Sequence, residues 1–412
     1  EIDLDQTCPE SATDPCKDSN SECRDTGNGF KCQCKDTHYN NGGTCATKPD
    51  APSNLETSSD NTNINRITLT WENPDEARRG EKNDISWVAQ TPADSSDTGT
   101  HEAEGSARSY VINGLTAGVE YSITIQARRG SGANSGLSAV KITTGKTYPA
   151  QTRNMKVTAR DTTAMIIGWD APAEGKVENY EVNCQGGEVK NKIDNARTAD
   201  IERLTAGTEY TITIRTVSNE YQSRPYDKKE YTKPNKPATV TVDTRDVTTT
   251  EAKVKWTKGD GNVDKFKLEC LEVTGSKVVF TDDNIAGASR EETCTGLYPG
   301  RRHTARVTAM TNGGTVSEPT SSAEFVTKPL PVQTVLITNA QGTRDLTATW
   351  TRPTGTDVSS YKVQLLTVDS DPEDVEAGLS KTWNNLVPTR QYTVSVWVVS
   401  NGQQSTNTNG MG

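Results

Sequence analysis

The chain has 412 residues, with 55 acidic against 45 basic side chains, a formal net charge of −10 and a pI near 5.1. That balance argues against a nucleic-acid-binding or anionic-membrane surface, and no apolar run is long enough to read as a membrane span. The length is too great for one hydrophobic core and predicts several domains.

The first 47 residues form a head of their own. Six of the nine cysteines fall there: Cys8, Cys16, Cys23, Cys32, Cys34 and Cys45. Dense cysteines in a short Gly- and Asp-rich segment predict a disulfide framework and an oxidising compartment. A segment this small cannot hold itself together by apolar burial alone, so the cross-links must do so. Spacing by itself leaves the pairing open.

From about Asp50 onward the chain repeats. Each repeat has a short alternating run ending in Trp: ITLTW at Trp71, MIIGW at Trp169, AKVKW at Trp256 and LTATW at Trp350. In three repeats a second run follows, YEVNC from Tyr180, FKLEC from Phe266 and YKVQL from Tyr361; the first repeat has ISWVAQ (85–90) instead. Each repeat then has a strand–turn–strand corner: INGLTAGVEYSITI, IERLTAGTEYTITI, CTGLYPGRRHTARV and WNNLVPTRQYTVSV. The ring closing each corner is Tyr121, Tyr210, His303 and Tyr392, at steps of 89, 93 and 89 residues. Two independent landmarks with one period define a tandem array. Alternation of period two, frequent turn signals and no helical periodicity predict all-β sandwiches. Prolines mark the linkers at Pro49, Pro149, Pro234 and Pro329 without any Gly/Ser tether, so an elongated, semi-rigid rod is expected. The expected boundaries are 1–47, 48–147, 148–232, 233–328 and 329–412. The polar end STNTNGMG reads as a frayed last strand at a boundary beyond which more protein is expected.

The Trp, the aromatic of the following strand and the L-x-P-G-x-x-Y type of corner, in that order, resemble fibronectin type III domains. In that family's nomenclature they lie on strand B, strand C and the E–F corner. The resemblance covers all four repeats, and the fourth departs from it with Thr389 in place of the corner Gly. The head resembles an EGF-like module, which implies the pairings Cys8–Cys23, Cys16–Cys32 and Cys34–Cys45. The stretches D-L-D-Q before Cys8 and C-x-D-x4-F-x-C from Cys23 are similar to the calcium-binding subclass. That implies calcium held by Asp3, Leu4, Gln6 and Asp25, with Asp25 also a hydroxylation site by the same resemblance. Thr7 is an extra residue relative to that pattern. Such a site would bind at about 10⁻⁴–10⁻³ M.

The remaining candidates can be placed on the repeat. Cys270 ends FKLEC on the apolar face, and Cys294 takes the inward position of Ile112, Ile201 and Trp383. A disulfide across the sandwich is expected if their Cα atoms come within about 7 Å. Cys184 shares the Cys270 position without a partner and is expected as a buried free thiol. His303 occupies the ring position of a corner, which makes packing its expected role rather than catalysis with Cys294. His38 and His101 have no metal-ligand spacing. Lys258-Gly259-Asp260 resembles an integrin-binding tripeptide, yet it is also ordinary turn chemistry. The Arg128-Arg129 and Arg301-Arg302 pairs are expected to be solvated. No Asn-x-Ser/Thr sequon occurs. No catalytic motif emerges.

The expected function is non-enzymatic protein–protein binding, by the extracellular part of a cell-surface adhesion or recognition receptor. The partner would be a protein ligand or a surface or matrix component, homophilic pairing included. Any membrane attachment would come through a further C-terminal segment. Parts of the third repeat look like those of receptor-type tyrosine phosphatases. The alternative is a secreted matrix protein, because EGF followed by fibronectin units resembles tenascin-like order.

Overall fold

The computed structural model describes residues 2–10, 15–90, 97–132, 135–339, 343–368 and 370–412. Among these there is no α-helix, and no helix long and apolar enough to cross a membrane. The head is built from two hairpins, Ser21–Asp25 with Phe30–Cys34 and His38–Asn41 with Thr44–Thr47. Its N-terminal segment lies along the first hairpin, with Cys8 N donating to Phe30 O at 3.0 Å and Cys32 N to Gln6 O at 3.0 Å. Disulfides join Cys8 to Cys23, Cys16 to Cys32 and Cys34 to Cys45, with Cα separations of 6.0, 5.7 and 5.5 Å.

Four sandwiches follow. In the second unit, Arg153–Arg160, Met165–Asp170 and Thr198–Glu202 lie on one sheet. Asn179–Cys184, Glu209–Ser218 and Tyr226–Tyr231 lie on the other. Strand Glu209–Ser218 alternates buried and outward residues along its whole length, as a half-buried strand must, whereas Met165–Asp170 buries Ile167, Gly168 and Trp169 in succession. Each unit has its own apolar cluster, and no cluster crosses a boundary.

The edge strand after strand C differs between units. Thr98–Glu104, Lys277–Ala286 and Glu373–Val375 pair with strand C of their own unit. In the second unit Glu188–Ile193 pairs with Thr198–Glu202, which is strand E, on the opposite sheet. Gly187 permits that crossing directly after Cys184, since a Cβ there would meet Leu204, Ile201 and the Cys184 sulfur.

In three units the aromatic of strand C stands edge-on to the Trp of strand B. The centroids are 5.4 Å apart for Trp169–Tyr180, 5.4 Å for Trp256–Phe266 and 5.5 Å for Trp350–Tyr361. In the first unit that register position holds buried Asn83, opposite Ala127. The aromatic sits four residues later as Trp87, at the edge of the sandwich near Tyr110 (6.4 Å), on which His101 stacks at 3.8 Å. Gly99 makes this possible, because any Cβ there would overlap the Trp87 ring.

The polar C-terminal stretch is a strand and not a frayed end. Thr408–Met411 pairs with Thr393–Val396, and Tyr392 and Gly412 exchange backbone hydrogen bonds of 2.9 and 3.1 Å. Backbone pairing compensates for weak propensity, and Gly410 lets this strand lie against Val335, where a Cβ would come within 2.7 Å of a carbonyl.

Candidate functional site

The corners are the most regular feature of the chain, and they do two things. The first is internal. Each corner ring reaches back to the backbone of its own turn: Thr116 N donates to Tyr121 Oη at 2.8 Å, Thr205 N to Tyr210 Oη at 2.7 Å and Val387 N to Tyr392 Oη at 2.8 Å. This is the tyrosine corner of Greek-key sandwiches. The Tyr121 hydroxyl also donates to the Asp97 carboxylate, and burial together with that carboxylate raises its pKa.

In the third unit the same position holds His303, which is fully buried. Tyr298 N donates to its Nε2 at 3.3 Å, and its Nδ1 lies 3.1 Å from Arg301 O. Those partners define a neutral imidazole with the proton on Nδ1. Burial holds its pKa below the ordinary histidine value.

The second role is between units. The corner glycines Gly118, Gly207 and Gly300 have φ of 71°, 64° and 70°. At each, a loop of the following unit approaches so closely that a Cβ would collide with its backbone oxygen: Lys176, Asn262 and Asp357 respectively. The contacts are hydrogen-bonded. Lys176 N donates to Ala117 O at 2.9 Å and Asn262 N to Ala206 O at 2.9 Å, while Thr356 Oγ1 donates to Pro299 O at 3.1 Å. A second loop closes two of these joints in the same way. Ser218 Oγ and Asn219 Nδ2 donate to Gly118 O at 2.8 and 2.9 Å, and Ser400 Oγ and Asn401 Nδ2 both donate to Gly300 O at 2.8 Å. The middle joint uses other groups: Asn262 Nδ2 to Thr208 Oγ1 at 2.9 Å and Thr315 Oγ1 to Thr232 O at 2.9 Å.

The head is seated on the first unit. Tyr39 is buried with its ring over Gly136, where no Cβ would fit. The Arg129 guanidinium donates to three carbonyls, Thr47 at 3.3 Å, Ala77 at 3.1 Å and Arg79 at 2.5 Å. Arg129 is therefore a joint residue rather than a solvated one. Its neighbour Arg128 pairs with Asp84 at 2.8 Å and with Glu102. Arg301 bridges Glu272 (3.6 Å) and Asp357 of the next unit (3.5 Å), and Arg302 lies 3.7 Å from Glu324.

Cys270 and Cys294 form a buried disulfide across the third sandwich, with Cα atoms 6.4 Å apart. Cys184 is a buried free thiol whose pKa burial pushes up. Among the described residues, one group of three potential metal-ligating side chains converges: Cys8, Cys16 and Cys32, each already in a disulfide. Asp3 pairs with Lys17 at 3.3 Å, and the Asp25 carboxylate accepts from Gly27 N at 2.8 Å within its own turn. Leu4 lies beside Lys17, Asp18 and Gly43, while Gln6 uses its carbonyl on Cys32 N.

The tripeptide Lys258-Gly259-Asp260 lies in the joint between the second and third units. The Lys258 amine bonds the Gly261 carbonyl, Gly259 packs on the linker at Lys236, and Asp260 O accepts from Asn235 Nδ2 at 3.0 Å. His38 lies against the Thr37 hydroxyl at 2.9 Å.

Tandem sandwiches closed by tyrosine corners define the class of the molecule, and the family comparison agrees. The fibronectin type III domain model matches residues 50–143, 149–232, 235–325 and 330–411. The chain belongs to the fibronectin type III family. It is 25% identical over 346 residues to Tenascin-R of Gallus gallus, covering 82% of this chain and 24% of that protein. It is 26% identical over 351 residues to Receptor-type tyrosine-protein phosphatase H of Homo sapiens, covering 82% of this chain and 30% of that protein. It spans less than a third of either relative. Among solved structures, a two-domain fibronectin type III segment from chicken tenascin covers 68% of this chain at 15% identity with a TM-score of 0.23.

Proposed function

We propose that this chain is an extracellular, non-catalytic adhesion rod that binds protein partners, led by an EGF-like head. The observation that carries this reading is the run of seated joints. The first three corners and their facing loops are used up in holding neighbours, which leaves lateral sheet faces and edges for partners. The side chains with catalytic potential, Cys294 and His303, are committed to a disulfide and to a corner. Similarity to Tenascin-R, together with a cysteine-rich head ahead of the repeats, supports a matrix protein of tenascin-like order. Similarity to a receptor-type tyrosine phosphatase over 351 residues supports the second reading, a receptor ectodomain.

The test is binding of the tagged chain to cell layers and to cell-free matrix, with deletions of the head and of each unit. Saturable binding lost on deleting particular units supports the proposal. Unsaturable binding that is indifferent to every deletion contradicts it, and retention on cell-free matrix separates the matrix reading from the receptor one.

Calcium in the head is part of the same proposal. It requires Asp3 to leave Lys17 and Asp25 to release Gly27 N. Calorimetric titration of the chain with calcium tests it, and absence of heat at millimolar metal would refute it.

A further inference from the structure

The fourth corner departs from the other three at one residue that the joints depend on. Pro299-Gly300-Arg301 and Pro388-Thr389-Arg390 occupy the same corner positions and differ only in the middle residue. Gly300 is buried beneath the loops of the fourth unit, and the residue in its place in the fourth corner is the β-branched Thr389. Thr389 nonetheless keeps the backbone of the seated corners, with φ of 66°. A β-branched residue is strained at that φ, and it persists here because the tyrosine corner around Tyr392 holds the turn. Thr389 therefore carries, in the same backbone conformation, the Cβ that no seated corner tolerates. At Gly118 such a Cβ would stand 2.5 Å from Lys176 O, and at Gly300 it would stand 2.9 Å from both Asp357 O and Thr356 Oγ1.

We propose that Thr389 is a built-in stop for the seated joint. A sandwich joined behind the fourth unit is not clamped to its corner, so the series of seated joints gives way there to a swinging one. The fourth corner otherwise keeps what the third has, the proline, the arginine and a left-handed turn, with Tyr392 in the ring position of His303. One β-branched side chain blocks the approach of both partner loops, whose Ser and Asn must reach the corner carbonyl behind that Cβ. The device sets where the array is stiff and where it turns, independently of which partner it binds.

Two variants test the proposal. In the 412-residue chain, Gly300→Thr places the same side chain under an occupied joint. The distance distribution between spin labels at Lys255 and Asn384 is expected to broaden by about twofold or more, with the thermal unfolding of the third unit still cooperative, because the fourth unit folds with threonine in this place. An unbroadened distribution would overturn the proposal. In the second variant the chain is extended by another copy of residues 329–412, whose Thr356, Asp357, Ser400 and Asn401 are the groups that seat on Gly300. Labels across the new junction should give a broad distribution with Thr389 and a narrow one with Thr389→Gly. A narrow distribution with Thr389, or a broad one with both residues, would refute the stop.

Discussion

The Ser400 hydroxyl donates to the Gly300 carbonyl at 2.8 Å, across the boundary between two independently cored sandwiches. Ser218 and Gly118 repeat the relationship at the same distance two units earlier. Both hydroxyls are buried, and each shares its carbonyl with an asparagine amide, Asn219 Nδ2 at Gly118 and Asn401 Nδ2 at Gly300. The double substitution Ser400→Ala with Asn401→Ala should weaken the joint by about 1 kcal/mol per bond removed. The calorimetric transitions of the third and fourth units should lie further apart than in the parent chain, while each core stays intact.

The head should loosen without unfolding when Arg129 is changed to Ala. The guanidinium joins Thr47 of the head to Ala77 and Arg79 of the first unit, and the Asp50 amide lies in the same junction, bonded to Arg78 O at 2.9 Å. Loss of these charge-assisted bonds is expected to speed hydrogen exchange at the Asp50 amide by about tenfold or more. The three disulfides keep the head folded, so its own amides should be little affected.

Acid should destabilise the third unit selectively. The buried His303 is neutral when folded, and its pKa lies below the value of 6.5 that a free histidine has. As pH falls through about 6.5, the unfolded unit takes up a proton that the folded unit resists, so stability falls with pH below that point and is unaffected by this group above it. His303→Tyr should remove the dependence and supply the hydroxyl that Tyr121, Tyr210 and Tyr392 use. Urea unfolding of the third unit at pH 5 and pH 7.5 reads the difference.

A second disulfide can be installed across the second sandwich. Cys184 occupies the strand C position that Cys270 has in the third unit, and Ile201 the strand E position of Cys294. A Cβ placed at Gly187 would lie 2.9 Å from Ile201 Cγ2 and 3.2 Å from Cys184 Sγ, so the two side chains adjoin. Ile201→Cys is expected to cross-link with Cys184 and stabilise the unit by about 3 kcal/mol. Thiol titration under denaturing conditions should fall from one free thiol to none. Two free thiols would show that the strands diverge from the third unit's arrangement.

The fold was legible wherever a residue's role depends on its own unit. The corner, its ring, the strand B Trp and the inward positions of Cys270 and Cys294 follow from alternation and period, because a sandwich core imposes them locally. The Arg129 clamp and the Ser218 and Ser400 caps were not legible, since they depend on how one unit meets the next. The first unit hid its core for another reason: its aromatic moved four residues to Trp87, and Gly99 rather than any apolar signal made room for it. In the second unit the edge strand crosses to the other sheet past a close contact at Gly187, and strand propensity carries no such information. At the candidate calcium site, Asp3 and Asp25 were readable as a motif, but their present partners, Lys17 and Gly27 N, could be read only from the folded head.

The amide of Lys176 reports directly whether a corner is covered by the next unit. It lies on a loop of the second unit, and its acceptor is Ala117 O, in the corner of the first. Hydrogen exchange at this amide should be compared between the whole chain and a chain beginning at residue 149. Strong protection is expected in the whole chain, and loop-like exchange, faster by about a hundredfold, once the first unit is gone. Equal, fast exchange in both would contradict the seated joint and with it the reading of the chain as a jointed adhesion rod.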